Sequence, residues 1–210
     1  MKKRVFPWTN SIIRFINVVH VLNFALKMER MEINLKDYYS DISYEIIDTM
    51  IVLSGTAIGR EPENKIMTIM NNLAKVYQLS VPRAFGFDIP IDRNDNVTNH
   101  RGYEYWLAVD EVELVKLPSG YSFEFEGVNI YIKQIPSCRY AKLRIEDPFL
   151  DPFERIGGGW RRLVGWLEKH EFKDAGIVKC DNAYCLEEIK TVNGMIVIDI
   201  YVPVARVKEQ

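Results

Sequence analysis

The chain is poor in the residues on which metalloproteins and nucleophilic enzymes depend. Its three cysteines, Cys138, Cys180 and Cys185, form no CxxC pair and have no histidine nearby in sequence. An odd and scattered set of this kind suggests neither a disulfide framework nor a zinc site, and it makes a reducing cytoplasm the expected compartment. Histidine is as scarce, with three in 210 residues. His100 stands in the polar stretch DRNDNVTNHRG, and His170 falls at a helix end, where the helix dipole suits it. No GxSxG, HExxH, GxxxxGK[ST] or GxGxxG occurs. The hydrolase elbow, the zincin helix and the two phosphate-cradling loops are thereby absent. Neither a metal nor a cofactor is expected.

Excess charge and long apolar runs are missing too. Lys and Arg total 27 against 29 Asp and Glu, a net charge of −2, and the longest basic cluster is Lys2-Lys3-Arg4. Nothing here pulls on DNA phosphate, and residues 1–43 are too short and unpatterned for a helix-turn-helix. No direct nucleic-acid partner is expected. The most apolar stretch, SIIRFINVVHVLNFAL, is interrupted by Arg14, Asn17, His20 and Asn23, and no small-residue cleavage site follows. It is too polar and short to span a bilayer, and it does not read as a signal peptide. An amphipathic helix over about residues 11–30, capped by Asn10 or Ser11, is expected instead. It would pack on its own domain or on a second subunit, making a homodimer an expected assembly and a membrane not.

What is present is a chain that repeats itself. Both helical segments place proline first, in Glu61-Pro62-Glu63 and Asp151-Pro152-Phe153-Glu154, where its missing N–H is harmless. The spacing from Pro62 to Pro152 also relates Ile66 to Ile156, Met70 to Trp160, Leu73 to Leu163 and Tyr77 to Leu167. Without a gap it aligns the strands IVLSGTA (51–57) and AKLRIED (141–147); beyond the helices AFGFDIP (84–90) matches AYCLEEI (183–189). The expected fold is α+β: duplicated strand-helix-strand-strand units, pseudo-repeats 44–115 and 128–204, forming one antiparallel sheet. Two helices would cover one face and a ligand cleft would open on the other, with the N-terminal helix and linker (1–43) as an extra.

Two features stand out against this frame. The second helix holds Gly157-Gly158-Gly159, each costing about 1 kcal/mol in a helix, which points to close packing that leaves room beside Trp160. In AYCLEEIK (183–190), alternation puts Ala183, Cys185, Glu187 and Ile189 on one face. Glu188 and Lys190 fall on the other face, as solvated strand-end positions. Glu187 therefore sits among small and apolar neighbours. Desolvation should raise its pKa and make the ionised form costly until a cation arrives. Aromatic residues make up 12% of the chain, and Tyr103, Tyr105, Trp106, Tyr131, Tyr140, Tyr184 and Tyr201 crowd the strands. Phe149, Phe153, Trp160 and Trp166 lie in or near the second helix. Such rings wall pockets for lipophilic cations as readily as they fill cores.

Taken together, YEIIDTMIVLSGTAIG, GVNIYIKQIPSCRYAKLRIEDPF, the I…GGW..L..WL helix, YCLEE and IDIYVPV resemble the GyrI-like, or AraC effector-binding, domain family. The likeness spans residues 44–204, within an effector-binding domain drawn at 44–207. It implies a small-molecule-binding domain of the kind found in multidrug-sensing bacterial regulators, here in stand-alone form. It also implies an aromatic cleft between the halves and a key glutamate that aligns with Glu187. The family's aromatic positions fall on Trp160, Tyr140 and Tyr105; Phe149, Phe153 and Cys185 complete the expected ligand-binding set. The family's usual tyrosine two residues after its glutamate is replaced by Ile189. Three functions follow from the resemblance. The first is binding of lipophilic, cationic or aromatic small molecules. The second is hydrolysis of strained cyclopropane-containing genotoxic compounds, with Glu187 catalytic, and the third is inhibition of a topoisomerase by protein contact.

Overall fold

Runs of β-branched and aromatic residues at alternating spacing build the strands, and the two proline-headed segments build the helices. The structure, a computed structural model, describes residues 38–89, 91, 101–170 and 184–204. The helix expected over 11–30 and the stretch carrying His100 lie outside the described residues. The elements are β1 (Ser43–Ile47), β2 (Met50–Gly59), α1 (Pro62–Val76), β3 (Arg83–Ile89) and β4 (Arg101–Val109), then a 3-10 helix (Glu111–Lys116). They continue with β5 (Ser122–Phe125), β6 (Val128–Ile135), β7 (Cys138–Glu146), α2 (Pro152–His170), β8 (Leu186–Val192) and β9 (Met195–Pro203). The nine described strands form one sheet in the order β1-β7-β9-β8-β3-β4-β2-β6-β5, with every pairing antiparallel. The fold is α+β.

Cross-strand partners project to the same side of a sheet, so register reveals the faces. Tyr105 pairs with Gly86, Gly86 with Glu187, Glu187 with Ile200 and Ile200 with Leu143. Both helices cover this face. Ile66, Met70 and Leu73 of α1 pack on Leu53, Tyr103, Tyr105 and Leu107. Leu163 and Leu167 of α2 pack on Leu143, Ile145, Ile198 and Ile200. Gly86 and Glu187 lie in neither cluster; they mark a seam between the two helix-covered halves.

The opposite face is the inside of a curl. Two-residue links, 48–49 and 136–137, join β1 to β2 and β6 to β7, although these pairs stand toward opposite ends of the strand order. The Ser137 amide donates to Thr49 Oγ1 at 3.2 Å and ties the two links together. Such short connections force the twisted sheet to bend round on itself. The concave side then encloses its own core of Val52, Phe85, Phe87, Trp106, Leu186 and Tyr201. The sequence expectation set the ligand cleft and Glu187 together on the helix-free face, and the structure separates the two. That face curves around buried rings, and Glu187 lies on the helix-bearing side.

Glu188 also departs from expectation. It is 4% exposed, and its carboxylate takes both Arg83 Nε and Nη2, Lys190 Nζ and the Tyr201 hydroxyl at 2.6–2.9 Å. An ionic chain runs along the concave face through Lys142, Glu45, Arg83, Glu188, Lys190, Asp199 and Arg144. Alternation alone could not distinguish this interior from solvent, because the curl hides it. Cys138 is disulfide-bonded while Cys185 is free, so the cysteines no longer argue for a reducing compartment. Spacing along the chain does not reveal which cysteines a fold brings together. No helix among the described residues is long and apolar enough to cross a membrane.

The glycine triplet serves packing within α2. A Cβ on Gly158 would meet the Tyr39 hydroxyl at 2.3 Å, and one on Gly159 the Ile145 Cδ1 at 2.6 Å. Tyr39 lies across the helix start and donates to the Arg155 carbonyl at 2.9 Å. Gly157 faces only Arg161 Nη1, at 3.5 Å. Gly157→Ala should therefore raise stability by up to about 1 kcal/mol in thermal denaturation. Gly158→Ala should forfeit that gain by displacing Tyr39, and equal gains in the two variants would contradict the packing account.

Candidate functional site

Glu187 is the second residue of β8, and its side chain rises between the two helix-covered halves. Leu163 and Leu167 seat α2 on the sheet, one turn beyond Trp160. Trp160 Nε1 donates to Glu187 Oε1 at 2.9 Å. From the other half, the Tyr103 hydroxyl donates to Glu187 Oε2 at 3.4 Å. Gly86 makes that reach possible. Its ideal Cβ would stand 2.0 Å from the Tyr103 oxygen, so any larger residue would push the ring away.

Each oxygen of Glu187 thus receives one neutral donor, and among the described residues no lysine, arginine or histidine pairs with it. Burial pushes its pKa up to about 7; the Trp160 and Tyr103 hydrogen bonds oppose the rise, and the nearby charges of Asp88 and Glu63 add to it. Burial likewise raises Tyr103, with Glu187 and Asp88 reinforcing the shift. Asp88 pairs in register with Tyr103. Its own pKa is raised by burial, countered by Arg101. Arg101 hydrogen-bonds Glu63 Oε1 and approaches Asp88 Oδ1 at 3.8 Å, beyond bonding reach. Asp88 Oδ1 and Glu63 Oε2 are both buried and accept no hydrogen bond from the protein.

Of the expected site residues, the structure brings Glu187 and Trp160 into contact. Tyr105 shares their face but is 8% exposed, beneath α1. Cys185 lies just before β8, packed at the edge of the α2 cluster, and burial pushes its thiol up to about 12. Tyr140 is on the concave face with its ring 5.9 Å from that of Tyr201. Phe149 and Phe153 are exposed. The sequence places Tyr103 among the strand aromatics but not in the expected ligand-binding set, although it shares a face with Tyr105 by simple alternation. The unread signal was Gly86, a gap in an otherwise bulky strand that admits the Tyr103 ring.

A pocket of about 280 Å³ lies elsewhere, at the rim of the concave face, lined by Trp106, Lys133, Gln134, Ile135, Pro136 and Tyr184. Beneath it Glu104 Oε1 accepts from Ser54, Trp106 and Lys133 at 2.6–2.7 Å. Burial opposes ionisation of Glu104, but these bonds outweigh it and hold its pKa low. Glu104 therefore keeps a matched cation, which Glu187 lacks. No group of three or more His, Cys, Asp or Glu among the described residues is arranged to hold a metal ion.

No protein-family model matches the chain, and no curated protein matches it. Solved structures do. The crystal structure of the EcmrR C-terminal domain is 18% identical, with a TM-score of 0.51, over 80% of this chain and 99% of that one. EcmrR in a cryo-EM complex with DNA is 18% identical, with a TM-score of 0.53, over 95% of this chain and 69% of that one. SAV2435 bound to tetraphenylphosphonium is 10% identical, with a TM-score of 0.43, over 80% and 96%. The EcmrR likenesses show that this chain shares the fold of the EcmrR C-terminal domain.

Proposed function

We propose that the chain binds lipophilic cationic or aromatic small molecules at Glu187, as an effector-binding domain. The observation that carries this reading is a part-buried carboxylate that, among the described residues, is served only by the neutral donors Trp160 and Tyr103; burial pushes its pKa up to about 7. A desolvated acid without a cation is costly to keep. A cationic guest offsets that cost through charge, and the indole and phenol rings of Trp160 and Tyr103 offer it flat, polarisable walls. We read β2-α1-β3-β4 and β7-α2-β8-β9 as two copies of one unit, with the ligand seated where they meet. Multidrug sensing within the cytoplasm fits this reading.

Isothermal titration with a cationic dye such as rhodamine 6G, beside a neutral dye of similar shape, tests it. The cation should bind at least about tenfold tighter at pH 8, because a charge pair in a water-poor site contributes more than about 1.4 kcal/mol. Equal affinities would remove charge recognition from the account.

A second reading is favoured by the same pKa. Near neutrality both protonation states of Glu187 are populated, which suits a general base activating water on a strained cyclopropane ring. Product formation from activated cyclopropanes by the wild type, lost in Glu187→Ala, is its signature. No product from the wild type would end it.

A further inference from the structure

Glu187 and Asp88 stand diagonally across the seam. The register pair Gly86↔Glu187 makes Asp88, two residues along β3 on the same face, the diagonal neighbour of Glu187. Diagonal neighbours stand about 7–8 Å apart. Aligning AFGFDIP with AYCLEEI assigns Asp88 the position in its half that Glu187 holds in the other. The Tyr103 ring lies between them, its hydroxyl on Glu187 and its backbone in register with Asp88. Glu63, in the first turn of α1, adds a third carboxylate, and among the described residues Arg101 is the one cation paired with the Asp88–Glu63 side. The described residues of this group therefore hold three acids against one base.

The unmet valence here is specific. Asp88 Oδ1 and Glu63 Oε2 are shut away from water and accept no protein hydrogen bond. A buried acceptor without a donor is destabilising, and more so when it is charged. A cation such as a phosphonium or quaternary ammonium neutralises charge but brings no N–H to such an oxygen. Amidinium groups carry four N–H donors, substituted guanidinium groups up to five and primary ammonium groups three. The Tyr103 ring beside the acids favours a flat connector that can stack on it.

We propose that the ligand of this site is a short aromatic dication with N–H donors at both ends, one end on Glu187 and the other on Asp88 and Glu63. This rests on Glu187 being the centre of the binding site, and it names the class of guest. Three probes separate the possibilities: terephthalamidine, with two amidinium groups on one ring; benzamidine, with one; and tetraphenylphosphonium, with a charge but no N–H. Calorimetric titration at pH 8 should find terephthalamidine bound at least about tenfold tighter than benzamidine. Asp88→Asn should bring terephthalamidine down to the benzamidine level and change tetraphenylphosphonium by no more than about threefold. Glu63→Gln, on the partly exposed first turn of α1, should act in the same direction and serves if Asp88→Asn fails to fold.

Equal affinity for the two amidines in the wild type, or equal losses of all three probes in Asp88→Asn, would overturn the dication. Glu187→Gln keeps the two conclusions apart. If it weakens every probe while the Asp88 and Glu63 variants weaken none, binding at Glu187 stands and the dication falls. If it weakens none, the site itself is wrong.

Discussion

Glu187→Gln should lower the affinity for a monocationic aromatic ligand by about 30-fold or more at pH 8, the loss expected when a desolvated charge partner is removed. Glutamine keeps the shape and still accepts from Trp160 Nε1, so only the charge is deleted. In the wild type, affinity should rise about tenfold per pH unit up to the Glu187 pKa of about 7 and level off above it. The variant should show no such slope. Stability should move the opposite way. The folded-state pKa is raised, so ionisation destabilises the folded chain. The contribution is fully present below the carboxyl's ordinary value near 4.5 and is lost as pH rises through about 7. Glu187→Gln should thus melt higher than wild type at pH 8 and alike at pH 4.5. A ligand affinity that is flat from pH 5 to 8 in the wild type would contradict the assignment of charge.

Arg144→Leu should lose about 3 kcal/mol of unfolding free energy at pH 7, roughly 6–12 °C in melting temperature, the cost of breaking a buried ion pair from one side. Asp199 has no exposure. Arg144 binds it with Nε and Nη2 at 2.7 and 2.9 Å, leaving only Lys190 at 2.8 Å after the substitution. Burial works against ionised Asp199, yet Arg144 and Lys190 prevail and hold its pKa below the usual carboxylate value. A lowered pKa gives stability that is present at neutral pH and lost as pH falls through the folded value. The deficit of the variant should therefore shrink below about pH 4, where the orphaned Asp199 can protonate. Urea denaturation of both proteins across that range checks it; an undiminished deficit in acid would point to lost packing of the arginine stem instead.

Legibility in sequence followed what periodicity records. Alternation in AYCLEEIK separated Glu187 from Glu188, and the proline-headed helices marked the element order. Face assignment failed because it depends on sheet curvature. The links 48–49 and 136–137 are unremarkable in sequence, yet they turn the helix-free side inward. The same blindness made Glu188 look solvated, since Arg83 and Tyr201 approach it from other strands. Trp160 was found through its helix, whereas Tyr103 needed the register that sets its ring over Gly86. Partners that meet by register rather than by neighbourhood leave no mark on a single strand.

The junction between β3 and β8 is a thin one. These strands share a single register pair, Gly86 with Glu187, where β8 and β9 share seven. Glu187 is thus also half of the one register pair that joins these two strands among the described residues. A guest gripping Glu187 and the opposite half would rivet the two leaves together where the backbone itself does least, so occupancy and the cohesion of the domain would be one event.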